Sequence, residues 1–285
     1  MSQEIKYSIL VVCLNAGQRL LDTIDSIISQ KYQNYEIIIK DGESQDGSVE
    51  LVKSRYTEYQ SRIQIYSQKD SGIYDAMNQA CTYAKGDYYL FLNTGDSFYD
   101  EFVLEKITLG IVDKQKELGK CPDIVYGNMY HKSLDSVIYA APQINDFTCY
   151  RNVPCHQTCF YHRNMFAERG YKPEYNVRAD YEHFLWCYYE KKASIFYLPV
   201  MTASYEGGGY SETKEHRKQS AAQHKEITQH YMGKAKTWKY RLILLLTLAP
   251  LRSVLAENKY FSNIYNGLKT MIYKLQNKGD QDNKR

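Results

Sequence analysis

With 285 residues, 44% of them hydrophobic and 24% charged, the chain is long enough for a two-sided core, and its composition excludes wholesale disorder. The net charge of +3 is unevenly placed: residues 212–285 hold 15 Lys and Arg against 6 Asp and Glu (net +9), and residues 1–211 hold 21 against 27 (net −6). An acidic body of that size repels phosphate backbones, so nucleic acid is not an expected partner.

YSILVVC (7–13) reads as a strand, and Leu20, Leu21, Ile24, Ile27 and Ile28 then fall on one helical face. YEIIIKD (35–41) is a second strand, followed by a polar loop and a helix using Val49, Val52 and Tyr56. IQIYS (63–67), a helix with Ile73, Met77, Ala80, Cys81 and Ala84 on its apolar side, and DYYLFLN (87–93) complete the series. Strands alternating with helices predict βαβ units, right-handed crossovers and a largely parallel sheet.

From about residue 121 the pattern is less regular. DIVYGN (123–128), VIYAA (137–141) and QTCFYH (157–162) predict shorter strands, RADYEHFLWCYYE (178–190) a helix, and ASIFYLP (193–199) a last strand. Neither GxGxxG after the first strand nor GxxxxGK[ST] occurs, which argues against the common dinucleotide fold and against P-loop enzymes. The single glycine of CLNAGQR also argues against a nucleotidyltransferase with a glycine-rich loop after strand one.

Polar segments recur where predicted strands end: Cys13-Leu14-Asn15, KDGESQDGS (40–48), KDSGIYDAMNQA (69–80) and NTGD (93–96). In a parallel sheet they share one edge, where ligands of open α/β sheets bind. Asp41 can accept hydrogen bonds from a nucleoside, Gly42 and Gly47 allow close backbone approach, and the helix after Gly72 offers free N–H groups to an anion. Each segment alone also fits a plain turn or helix cap.

The order DGESQDGS, DSGIYDAMNQA, GDYYLFLNTGDSF, HQTCFYHR and ADYEHFLW strongly resembles glycosyltransferase family 2, and within it bacterial enzymes of exopolysaccharide, capsule and O-antigen assembly. The resemblance covers residues 7 to 211. It implies an α/β chain of the GT-A (nucleotide-diphospho-sugar transferase) fold, with a Rossmann-like, mostly parallel central sheet flanked by helices. It also implies inverting transfer from a nucleotide-sugar donor, expected to be a UDP-sugar, onto a lipid-linked or growing surface-polysaccharide acceptor.

By that resemblance NTGD stands where the family carries a metal-binding DxD, so Asp96 would hold Mg²⁺ or Mn²⁺. Asn93 and Gly95 replace acidic residues there, which predicts modest metal affinity. Cys13, Asn15, Asp41, Ser44, Asp70, Gly72, Asn78, Asn93 and Thr94 fall where donor contacts are expected. Asn78 lies in a helix segment that lacks the family's frequent arginine. Asp180 matches the general base, which takes the acceptor hydroxyl's proton. Glu182 is the fallback base, and His156 and Gln157 form a short element on the acceptor side. GGGYS (207–211) resembles a loop that closes over the diphosphate. A noncatalytic sugar-nucleotide-binding protein on the same fold is the alternative reading.

The expected division is a catalytic domain over 1–211 and a basic, helical extension over 212–285. WKYRLILLLTLAPLR (238–252) is too short in its apolar part to span a bilayer, and fits either an interfacial segment on anionic lipid or a helix packed on the catalytic domain. The seven scattered cysteines, with no apolar leader after Met1, fit a cytoplasmic protein, peripheral at the inner face of the membrane. CHQTC (155–159) has the residue types of a zinc site but no second Cys pair beside it. The 29 tyrosines suit half-wet, ligand-stacking clefts as well as simple compositional bias.

Overall fold

The computed structural model describes residues 4–207 and 214–246. Strands β1 (Tyr7–Cys13), β2 (Tyr35–Asp41), β3 (Ile63–Ser67) and β4 (Tyr88–Phe91) lie side by side in the order β3-β2-β1-β4, all parallel. Helices α1 (Gln18–Ile28), α2 (Ser48–Arg55) and α3 (Ile73–Tyr83) connect them.

Every residue of β1 and β2 is buried because both sheet faces are covered. Tyr7, Ile9, Val11 and Cys13 share one core cluster with Leu20, Leu21, Ile24 and Ile27 of α1. Leu10 and Val12 point the other way, into a cluster with Tyr74, Ala76, Met77 and Ala80 of α3. The pairing of Cys13 with Asp41, and of Asp41 with Ser67, sets the carboxyl ends of three strands level along one edge.

The second half is mixed rather than parallel. It contains β5 (Ser97–Phe98), α4 (Val103–Leu118), β6 (Ile124–His131), β7 (Ser136–Ile138), α5 (Asp146–Arg151), β8 (Cys159–His162), α6 (Asn164–Ala167), α7 (Ala179–Tyr189) and β9 (Ile195–Tyr205). The sheet continues from β4 through β8, β6 and β9 to β5, with β7 paired to β6. β8 runs antiparallel to both β4 and β6, β6 pairs parallel with β9, and β5 and β7 are antiparallel additions. No β-helix-β crossover of the first kind leads into β8, and the parallel constraint lapses with it.

Two elements differ from the sequence expectation. α4 is a sixteen-residue helix that was not anticipated, although Val103, Leu104, Ile107 and Ile111 are buried at helical spacing. β9 runs on to Tyr205 rather than ending near Pro199. Tyr126 pairs with Tyr197 and Asn128 with Met201, so Pro199 sits in a bulge where its missing N–H breaks no ladder bond.

The chain ends, within the described residues, in α8 (Lys214–Leu246), two helices joined at Gly233, whose φ of 78° and ψ of 159° suit a residue without a Cβ. Its Ile227 and Met232 are buried in a third cluster with Tyr181, Phe184, Leu185 and Trp186 of α7. This part of the basic segment packs against α7 and α5.

Candidate active site

Three loops meet at the level carboxyl edge. Cys13 Sγ donates to Asp41 Oδ1 at 3.7 Å, and burial, with Asp41 beside it, pushes the thiol up to about 12, so it stays protonated. The Ser44 N–H and hydroxyl both reach Asp41 Oδ1, at 3.1 and 2.6 Å. The Asn15 N–H donates to Ser44 Oγ, and Asn15 Oδ1 accepts from the Gln45 N–H, both at 2.8 Å. A Cβ on Gly42 would lie 3.1 Å from Asp70 Oδ2 and 3.3 Å from Leu14 Cδ1, so the three loops are in near contact.

Lys40 was missed in the sequence and organises this corner. Its side chain is fully buried at the end of β2, and Nζ bonds Asp70 Oδ2 (2.9 Å), the Asp41 carbonyl (2.9 Å) and the Gln68 carbonyl (2.6 Å). Asp70 Oδ1 accepts the Gly72 N–H at 3.1 Å. A lysine inside a buried strand was the available signal, because burying an unpaired ammonium is too costly.

NTGD follows β4 as a tight turn, with the Asp96 N–H on the Asn93 carbonyl at 3.0 Å. Thr23 of α1 grips it, accepting the Gly95 N–H at 3.0 Å and donating to the Asp96 carbonyl at 2.8 Å. Gly95 has φ 95°, and a Cβ there would stand 2.2 Å from Glu206 Oε2 and 2.7 Å from Arg19 Nη2. The ion pair of Arg19 with Glu206 (2.5 Å) fills the space a longer side chain would need.

Asp96 is 4% exposed, and its carboxylate accepts from Gln157 Nε2 (2.8 Å) and the Glu206 N–H (3.1 Å). Burial raises its pKa, against the lowering effect of those two hydrogen bonds. Each oxygen keeps a lone pair, and the neighbouring Asn93 Oδ1 is buried without a hydrogen-bond partner. Among the described residues no three His, Cys, Asp or Glu side chains gather into a metal cage. One carboxylate and one free amide oxygen fit a hard cation whose other ligands are phosphate and water.

Asp180 lies in the first turn of α7, whose cap position is Arg178. Tyr74 OH donates to Asp180 Oδ1 at 2.8 Å, and His156 Nδ1 meets Oδ2 at 3.1 Å. His156 Nε2 is 3.1 Å from Asn93 Nδ2. With the amide donating to Nε2, the imidazole carries its proton on Nδ1 and gives it to Asp180. The NTGD turn, His156, Asp180 and Tyr74 thus form one continuous polar chain. Burial pushes the Asp180 carboxyl upward, but the His156 and Tyr74 hydrogen bonds outweigh it and hold the group below its usual range.

A family model described as "Glycosyl transferase family 2" matches residues 8–175, most of the region that builds this edge. The chain belongs to glycosyl transferase family 2. A "PGL/p-HBAD biosynthesis glycosyltransferase" of Mycobacterium bovis is 31% identical over 209 residues, 73% of this chain and 79% of the relative. The "Amylovoran biosynthesis glycosyltransferase AmsB" of Erwinia amylovora is 26% identical over 130 residues, 45% of this chain and 42% of the relative. Two solved structures share the fold at low identity. TarS 1-349 of S. aureus in complex with UDP-GlcNAc has a TM-score of 0.61 at 16% identity, covering 80% of this chain and 72% of that one. The mannosyltransferase PcManGT from Pyrobaculum calidifontis, in complex with GDP-Man and Mn²⁺, has a TM-score of 0.60 at 13% identity, covering 95% and 88%. The protein is therefore a family 2 glycosyltransferase of the GT-A fold.

Two residues of this transferase lie elsewhere than expected. Asn78 does not face the strand-end loops: its amide donates to the Tyr171 carbonyl (2.8 Å) and accepts the Tyr171 N–H (2.7 Å). It fastens the segment before α7 to α3, tightly enough that a Cβ on Gly170 would come 2.2 Å from Asn78 Oδ1. Glu182 is not a fallback base. Two helical positions from Asp180, it points away and is 1% exposed, held by Arg169 (2.9 and 3.1 Å), Lys172 (3.3 Å) and Tyr231 OH (2.5 Å).

Because Tyr231 belongs to α8, this buried cluster also ties α8 to the body. Glu182→Ala leaves Arg169 and Lys172 without their carboxylate and is expected to lower unfolding free energy by about 3 kcal/mol, read by urea denaturation. A loss under about 1 kcal/mol contradicts this role.

Gln157, 3% exposed, reaches the turn only by its hydrogen bond to Asp96. The Thr94 carbonyl is 3.4 Å from Arg19 Nη2. Cys155 Sγ donates to Gln157 Oε1 and Cys159 Sγ to the Cys155 carbonyl, so both thiols of CHQTC are engaged in local hydrogen bonds. Tyr74, Arg19 and Glu206 were not singled out. Tyr74 could have been, as the aromatic residue in the first turn after Gly72. Nothing local marked the other two. Of GGGYS only Gly207 lies within the described residues.

Proposed function

We propose that this family 2 enzyme is an inverting glycosyltransferase that moves one sugar from a nucleotide-diphospho-sugar, a UDP-sugar by our reading, to a lipid-linked or growing surface-polysaccharide acceptor. The observation that carries the reading is the polar chain from Asn93 through His156 to Asp180, with the nucleoside corner on one side of it and an ionised carboxylate on the other.

In this reading the loops at Cys13, Asn15, Asp41, Ser44 and Asp70 hold the nucleoside, with Lys40 locking Asp41 and Asp70 in place. Gly72 and the start of α3 face the diphosphate. Asp96, with Asn93 Oδ1 beside it, would hold Mg²⁺ or Mn²⁺, which neutralises charge on the departing nucleotide. Asp180 takes the acceptor hydroxyl's proton as that oxygen attacks the anomeric carbon opposite the leaving group. His156 and Tyr74 fix both carboxylate oxygens, leaving the outer lone pairs toward the acceptor.

The test is nucleotide release from a panel of UDP-, GDP- and dTDP-sugars with membrane extract as acceptor, with Mn²⁺ and with EDTA. Release from one donor class that EDTA abolishes is the expected result. Tight nucleotide binding with no release from any donor would instead identify a noncatalytic sugar-nucleotide-binding protein.

A further inference from the structure

The second half of α8 presents an unusual outer face. Lys234, Trp238, Arg241 and Leu245 recur at spacings of four, three and four, so they share one side of the helix. Tyr240 and Leu244 share the opposite side, packed on the third core cluster, with the Tyr240 ring 5.6 Å from Phe147 and 5.7 Å from Tyr150. The outer side is apolar where a solvated helix would be polar: Trp238 is 67% exposed, Leu242 39%, Leu245 53% and Leu246 73%.

Cations stand among these groups. Of the four in this half (Lys234, Lys236, Lys239 and Arg241), only Lys236 meets a carboxylate among the described residues, Asp146 at 2.5 Å. Beside this face, at the Gly233 kink, lies a cleft of about 790 Å³ lined by Tyr150, His224, Lys225, Lys234, Trp238 and Arg241. Residues 247–285, which follow, add seven Lys and Arg against three Asp and Glu.

We propose that this face and the cleft beside it rest on a bilayer surface that carries anionic lipid. Basic groups interleaved with Trp and Leu are the chemistry of an interfacial helix, the cations meeting headgroups and the apolar side chains entering the acyl boundary. No helix among the described residues is long and apolar enough to cross a membrane, so α8 lies on the surface. A second copy of the chain fits less well, because a two-fold contact would set the same unpaired cations against each other. The inference extends the lipid-linked acceptor of the proposed function, and its test reads lipid binding apart from turnover.

The full chain is to be co-sedimented with vesicles of phosphatidylcholine alone, and with vesicles one third phosphatidylglycerol, at low and high salt, while tryptophan emission is recorded. The chain has two tryptophans, and Trp186 is 4% exposed, so a blue shift on adding vesicles reports Trp238. Expected are partition to the anionic vesicles only, weakened by salt, and a blue shift. Lys234→Glu with Arg241→Glu is expected to lower partition at least about 100-fold. Trp238→Ala is expected to keep a weaker, salt-sensitive partition without the shift.

Thermal melting and nucleotide binding check that each variant is folded. Equal partition to neutral and anionic vesicles, or none, overturns the proposal. So does a concentration-dependent blue shift without lipid, which would identify self-association. Partition to anionic vesicles by a protein that transfers no sugar upholds the surface and refutes the proposed function. Transfer without partition does the reverse.

Discussion

Asp180→Asn is expected to lower kcat by about a thousandfold, within the range general-base removal produces, while nucleotide-sugar affinity stays within about twofold. Asparagine keeps the shape, and its carbonyl still accepts from Tyr74 OH, which lies 2.8 Å from Asp180 Oδ1. What disappears is the anion proposed to take the acceptor's proton. Turnover kinetics with separate donor-binding measurements check this, and a variant retaining a tenth of wild-type kcat would remove Asp180 from the chemistry.

The pH profile gives a second reading of the same group. Burial raises the Asp180 carboxyl, but hydrogen bonds from His156 and Tyr74 outweigh it, so the carboxylate persists to a pH below the ordinary range. His156→Ala removes the largest lowering contribution and leaves burial less opposed. The acid limb of kcat/KM is then expected to move to higher pH, whereas a purely structural loss would lower the whole profile without moving its limb.

Asp96→Asn is the other change with a large expected effect. The apparent affinity for nucleoside diphosphate in Mn²⁺ should fall to its value in EDTA, and metal-dependent turnover should drop by about a hundredfold or more. Manganese titration by electron paramagnetic resonance reads the site without turnover. Burial raises the Asp96 carboxyl despite the hydrogen bonds from Gln157 and Glu206, so protons compete with the cation at a higher pH than for an exposed aspartate. Wild-type Mn²⁺ affinity should therefore begin to fall above the usual carboxylate range as the solution is acidified.

The sign for stability runs the other way. A folded pKa raised above the unfolded value means that the fold prefers the neutral carboxyl, and that preference is lost as pH rises through the folded pKa. Asparagine is neutral at every pH. Because its carbonyl can accept only one of the two hydrogen bonds that Asp96 takes from Gln157 and the Glu206 N–H, the expected result is relative: the variant's melting temperature gains on that of the wild type as pH rises from acid to neutral, and no such gain would contradict the raised pKa.

The residues of the candidate donor edge were legible in sequence order because each is local to a strand end. A buried parallel strand must be apolar on both faces, so KD, KDSG and NTGD stand out as abrupt polar endings, and level register brings them together. α4 and the extension of β9 were less legible: the apolar spacing of α4 was present but unused, and Pro199 signals a strand end unless a bulge receives it. Asn78 and Glu182 show a different difficulty. Both lie within a few residues of site positions, and their side chains serve the segment before α7 and the anchoring of α8.

The two-sided strands, the alternation with helices and the polar strand ends follow from the order of residue types, because burial and hydrogen-bonding demands act residue by residue along the chain. Which carboxylate becomes the half-buried candidate base and which the fully buried anchor depended on what packs beside each. Asp180 faces Tyr74 and His156, brought from 106 and 24 residues away. Glu182, half a helical turn on, faces Arg169, Lys172 and Tyr231. The same is true of Gly95, where the pairing of Arg19 with Glu206 occupies the space of a side chain. Tyr74, Tyr231 and the Arg19–Glu206 pair are distant in the chain from the groups they meet, and only the closing of the sheet and the packing of α7 and α8 bring them within bonding distance.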